Sequence, residues 1–379
     1  MKPSMSIGAF REALGEGRLS RRDVTRVLAS VGIATVGTSL VPAPARAEGW
    51  LQLFTWSGYD IPELFPAFHA KYGKLPDVAL YADNDEAFNK VRAGYQADIV
   101  CPSNASVQQW IDAGLLEPLD TARLPNWAGL FDQFKGMRGT TGPGGEIYYA
   151  PWSWGNSSIV FRTDLAPEYA GRENHTWKIL WDQKYAGKIA FRDNWAGTTI
   201  PAALVLGLGD PWHMTDEDIE KVREALIEQR PLTKFYWTSE ADAQQAVASG
   251  ELVAMYAWNS AYAALKKEGV PVEYMIPKEG LLTWADGHVL MKTHIGSDEE
   301  RYDFLDATLS VETGKYMIET YNYGATNRES FAVADPAVIE SLGMSDPVAV
   351  LDGSLWYETV PPDIKAKLVN VHDEVMAGS

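Results

Sequence analysis

Between Trp50 and Ala113 the chain alternates extended apolar runs with helical ones, three times over. Trp50–Trp56, Val78–Tyr81 and Ala97–Cys101 read as strands. Glu63–Tyr72 behind Pro62, Asp85–Ala93 and Val107–Ala113 read as helices. A β-α-β-α-β-α order predicts a mainly parallel sheet covered by helices. Ligands of such sheets sit at the carboxyl ends of the strands. Trp56-Ser57-Gly58-Tyr59 and Pro102-Ser103-Asn104 stand at two of those ends.

The pattern continues after the glycine-rich loop Gly139–Gly145. Ser157–Phe161, Lys188–Phe191, Leu252–Ala257 and Val272–Ile276 read as strands. Helices are predicted over Thr176–Trp181, Thr198–Leu208, Asp216–Gln229, Glu240–Ser249, Glu299–Leu309, Thr313–Thr320 and Pro362–Met376. A chain of 379 residues has room for two domains, yet no long linker divides it. The expected class is α/β, with two lobes joined by short crossovers. Residues 48–156 plus 282–330 form the first lobe and 157–281 plus 331–379 the second.

One stretch carries chemistry. Pro277-Lys278-Glu279-Gly280 makes a turn, and an apolar run then leads to Trp284-Ala285-Asp286. In an extended run side chains repeat every second residue, so Trp284 and Asp286 share a side. An aromatic wall beside a carboxylate suits a cation with an apolar body. Taken alone, the stretch better fits a core tryptophan beside a turn aspartate, since most tryptophans simply pack.

The first 47 residues read as an address. Arg21-Arg22 precede the apolar run Val27–Val41, then Pro42, Pro44 and Ala45-Arg46-Ala47. That is the order of a signal peptide of twin-arginine type, cleaved near Ala47. Val24 and Thr25 stand where bulkier apolar residues are usual, so general secretory export also fits. The apolar run is too short to span a bilayer. A soluble periplasmic protein is expected.

Net charge is -18, and the leader opposes it with seven basic against three acidic residues. An acidic remainder excludes nucleic acid and anionic membrane as natural partners. Cys101 is the single cysteine, so no intrachain disulfide forms. The six histidines have no metal-ligand spacing. Hydrolase, zinc-protease and phosphate-loop motifs are missing. No cofactor and no metal are expected, and no enzyme, although a triad assembled in space would leave no motif.

Five segments together carry a family likeness: Phe54–Tyr59, Asp98–Ser103, Leu180–Gly187, Ala257–Ser260, and Pro277–Gly280 leading to Trp284–Asp286. Over the length that follows the leader the chain resembles periplasmic solute-binding proteins of ABC importers, within them the spermidine/putrescine-binding type. The resemblance implies two lobes closing on a ligand. It implies a small organic cation as ligand, an importer permease as partner, and a monomer. It assigns Trp56, Ser57, Tyr59, Ser103, Trp258, Trp284 and Asp286 to the cleft, with Glu358 as a late contact.

Two departures stand out. After Phe191, polyamine binders place carboxylates that grip one amine end. Here Asn194 and Gly197 fall on those positions, and Asp193 is one residue off. A one-residue slip reverses side-chain direction in a strand; Asp193 is nevertheless kept as a candidate. The second is Ala105, where the spermidine type often has tyrosine. Fewer carboxylates beside retained aromatics also fit a monoamine, a quaternary ammonium or an amino-acid-like ligand, and Arg192 could meet a ligand carboxylate. Two other classes are a periplasmic hydrolase on the same scaffold and a sensory receptor.

Overall fold

The computed structural model describes residues 49–378. The stretch expected to be a twin-arginine leader, with its expected cleavage site, lies outside the described residues.

The expected strands form, with additions. In chain order they are β1 (Gln52–Trp56), β2 (Asp77–Tyr81), β3 (Ile99–Val100), β4 (Leu116–Glu117), β5 (Ala150–Arg162) and β6 (Ile189–Arg192). There follow β7 (Thr233–Trp237), β8 (Ala254–Trp258), β9 (Val272–Tyr274), β10 (Leu282–Met291), β11 (Gly324–Ala325) and β12 (Leu355–Trp356). The main path runs β2-β1-β3-β10-β5-β8-β6-β7. At one end β1, β2 and β3 pair in parallel, and at the other β6, β7 and β8 do the same. The two parallel groups are the two lobes. The long antiparallel pair β5 and β10 runs between them.

Period-two alternation places the first lobe's core on both faces of its sheet. Leu53, Ile99, Cys101 and Leu290 pack with Phe65, Phe68, Trp152 and Phe304 on one face. Phe54, Val100, Val289 and Met291 pack with Trp110, Phe134 and Trp154 on the other. The second lobe has a core of its own, built by β6, β8, the helix Trp195–Leu206 and the closing helix Pro362–Ala377. Ala334, Ile339, Leu342, Met344 and Leu351 pack in the Phe54–Trp154 core. The segment 334–351 thus packs against the core around Phe54 and Trp154.

Two strands differ from expectation. β5 begins seven residues before Ser157 and includes Pro151. Its pairing with β10 skips Trp152, at a register shift between Asp286 and Gly287. A bulge is where a strand tolerates proline. Gly287 is required at the bulge, since a Cβ there meets the Tyr149 ring at 2.5 Å and the Ala150 carbonyl at 2.8 Å. β10 runs on past Asp286 to Met291, which ties the carboxylate's strand into the first lobe's sheet.

His288, just beyond the bulge, is 1% exposed between Trp152 and Phe304. Burial pushes its pKa down to about 3. The unfolded chain takes up that proton near pH 6.5. Stability from this group is therefore complete above pH 6.5 and declines as pH falls towards 3, by up to about 1.4 kcal/mol per pH unit. Denaturant titrations across that window should show a shallower acid slope for His288→Leu than for the wild type.

Candidate functional site

A cleft of about 1130 Å³ lies at the carboxyl ends of the strands. Trp56 ends β1, Tyr81 ends β2, Arg192 ends β6 and Trp258 ends β8, and all four line it. Both parallel groups thus present their carboxyl ends to one space, as α/β sheets do at ligand sites. The volume lies just above the usual range of small-molecule sites, roughly 300–1,000 Å³.

Asp286 is the buried anion of this cleft. It is 7% exposed. Ser103 Oγ donates to its Oδ1 at 2.8 Å and Tyr59 Oη donates to its Oδ2 at 3.3 Å. No cationic side chain pairs with it among the described residues. Burial raises its pKa to about 6, and the two hydroxyl donors hold it from going higher. A carboxylate kept out of water with only neutral donors is poised for a cation.

Backbone contacts around it are fixed from several elements. Asn104 Oδ1 accepts the Ala285 N–H at 3.0 Å, and its Nδ2 donates to the Tyr357 carbonyl at 2.7 Å. Tyr149 Oη donates to the Ala285 carbonyl at 2.7 Å. The residues on either side of Ala285 are thereby held in the extended geometry that sends Trp284 and Asp286 to one face.

Trp284 lies over Gly155, its cross-strand partner on β5. A Cβ at 155 meets the indole Cζ2 at 2.5 Å, so the glycine makes the seat for the ring. Tyr323 meets Trp284 edge-on at 4.9 Å. Trp56 packs on Tyr81 at 4.7 Å. Across the cleft Trp258 packs edge-on against Trp237 at 5.4 Å, and the Arg192 guanidinium sits 4.9 Å from its ring centre.

The structure brings together Trp56, Ser57, Tyr59, Ser103, Trp258, Trp284, Asp286 and Glu358. Asp193 is not among the cleft-lining residues, and its placement there is corrected. Its carboxylate lies 3.3 Å from His372 Nε2. The one-residue offset has the consequence that strand geometry demands: Arg192 and Asn194 line the cleft and Asp193 between them does not. Asn194 spends its side-chain oxygen on the Ala196 and Gly197 amides, capping the helix Trp195–Leu206. Glu358 reaches the cleft, paired with Arg138 at 2.6 Å.

Sequence reasoning missed Tyr323 and Trp212, which line the cleft. For Tyr323 there was a signal. Asn322 takes a left-handed conformation, φ 59°, between two tyrosines and before Gly324, and that turn chemistry re-aims the chain. Trp154 is fully buried and donates to the Ala325 carbonyl at 2.9 Å. Trp195 does line the cleft.

Residues 63–342 match the family described as bacterial extracellular solute-binding protein. The chain belongs to that family. Among curated proteins it is 23% identical to the putrescine/agmatine-binding protein of Pseudomonas aeruginosa, over 92% of this chain and 97% of that one. It is 25% identical to spermidine/putrescine-binding periplasmic protein 1 of Haemophilus influenzae, over 84% and 86% of the two chains. Among solved structures it is similar to a spermidine/putrescine ABC transporter substrate-binding protein from Streptococcus pneumoniae. That match has TM-score 0.72 at 19% identity and covers 86% of this chain and 98% of the other. The two-lobed periplasmic-binding fold expected from the likeness is thus the fold of this chain. Among the described residues no helix is long and apolar enough to cross a membrane.

Proposed function

We propose that this solute-binding protein captures a small organic cation, a polyamine or related amine, and delivers it to an ABC importer. The observation that carries the reading is Asp286, a buried carboxylate without a cationic partner among the described residues, at the end of an aromatic-lined cleft. A ligand ammonium supplies the missing charge, and Trp284, Tyr323, Trp56 and Trp258 supply walls for its methylenes. The family, and the names its relatives carry, support the same class of ligand.

In this reading the lobes close on the ligand, and the closed form docks on a permease as a monomer. The lobes divide at the β5–β10 crossing, with 334–351 grouped with the first lobe. The leader carries the protein across the inner membrane and is removed near Ala47. Ligand is held and released unchanged, with no catalysis.

Tryptophan fluorescence against polyamines, monoamines, quaternary ammonium compounds, amino acids, sugars and dicarboxylates tests this. Saturable changes are expected with compounds bearing an ammonium group. Saturation by sugars or dicarboxylates alone contradicts the proposal.

A further inference from the structure

The charges that line the cleft are mostly spoken for. Asp85 pairs with Lys365 at 2.5 Å, and Glu358 pairs with Arg138 at 2.6 Å. Asp112 accepts from Gln108 at 2.7 Å, and Asp83 caps its own helix. Four lining charges have no charged partner within pairing distance among the described residues: Asp83, Asp112, Asp286 and, opposite in sign to the other three, Arg192. Arg192 ends β6 in the second lobe. Its guanidinium lies by the Trp258 ring and forms no ion pair or hydrogen bond among the described residues. Glu240 acts on it only at longer range. That carboxylate is engaged by the Trp258 amide at 2.8 Å and by Ser260 Oγ at 3.0 Å.

The local sequence makes room for this arginine. Gly197 faces its stem, and a Cβ at 197 falls 3.1 Å from Arg192 Cβ and 3.7 Å from Cδ. A side chain at 197 thus crowds the path the arginine takes. Asn194, its other neighbour in the cleft, is neutral and committed to capping. This end of the cleft therefore presents a guanidinium beside a neutral amide. Tyr323 sits within the field of both ends. Burial and Glu240 raise its pKa most, Asp286 adds to that rise, and Arg192 opposes it.

We propose that the ligand is a zwitterion: an ammonium at Asp286 and a carboxylate at Arg192, joined by an apolar chain lying between the tryptophans. The proposal rests on the reading of Asp286 as an ammonium site and adds the second charge. A diamine places a cation against Arg192 and is disfavoured there. A guanidinium and a carboxylate make paired, charge-assisted hydrogen bonds.

Calorimetry with matched pairs tests it: 4-aminobutanoate against putrescine, 5-aminopentanoate against cadaverine, 6-aminohexanoate against 1,6-diaminohexane. For the best chain length, the amino acid should bind the wild type at least about ten-fold tighter than the diamine. Arg192→Gln should weaken the amino acid by about thirty-fold or more and strengthen the diamine. Arg192→Lys, which keeps the charge, should fall between. A wild type that prefers the diamine overturns the proposal and leaves the ammonium site standing. So does undiminished amino-acid affinity in Arg192→Gln. If neither series binds the wild type, the ammonium reading fails and this proposal fails with it.

Discussion

Asp286→Asn is expected to cost about a hundred-fold or more in affinity for an ammonium ligand, and to stabilise the empty protein at neutral pH. The first effect follows from removing the cleft's unpaired buried anion. Truncating one partner of a buried charge pair costs roughly 2–5 kcal/mol. The second follows from proton linkage. The folded carboxyl has its pKa at about 6, against an unfolded value near 3.9. Between those values the folded state holds the proton more tightly. The group's contribution is thus most favourable below pH 3.9, is lost as pH rises through 6, and remains unfavourable at pH 7. Asparagine carries no such charge and still accepts from Ser103 or Tyr59. A gain of roughly 1–3 kcal/mol at pH 7.5, vanishing below pH 4, is expected in denaturant titrations. A wild-type-like stability with lost affinity would mean that the carboxylate is not desolvated in the empty cleft.

Gly155→Ala should act on the aromatic wall without touching any charge. The new methyl lies 2.5 Å from Trp284 Cζ2 and 2.9 Å from Cη2, so the indole has to leave its seat. Overpacking of this kind costs roughly 1–3 kcal/mol. Since Tyr323 leans edge-on against the same ring, the wall is displaced as a unit. Affinity should fall by about ten-fold or more, with the far-ultraviolet circular dichroism unchanged. Equal affinity in Gly155→Ala would remove Trp284 from the ligand's wall. Trp284→Ala is the companion variant: if the ring matters only as core, it loses stability and keeps affinity.

Much of this architecture was legible from residues alone, because local periodicity and strand-end polarity are local signals. Trp56, Ser103 and Trp258 follow apolar runs, and a parallel sheet brings such ends together. Trp284 and Asp286 share a face because the strand period is two. The leaving of Asp193 was foreseeable on the same ground, and the structure shows why it matters. The slip by one residue puts Arg192 and Asn194 into the cleft in its place. Long-range features were not legible. Pro151 and Gly155 hid the first half of β5, since the bulge that accommodates the proline is made by pairing with β10. Thr233–Trp237 was missed as a strand because only Trp237 in it is buried. The packing of 334–351 against Phe54 and Trp154 depends on tertiary contacts that chain order does not encode.

The most direct test is where an ammonium nitrogen sits in a crystal structure of the complex, with the tightest-binding amine from the panel. The account predicts a nitrogen about 2.7–3.2 Å from a carboxylate oxygen of Asp286, with the chain's methylenes against Trp284 and Trp258. A ligand bound with every ammonium group remote from Asp286, or outside the cleft, would contradict it.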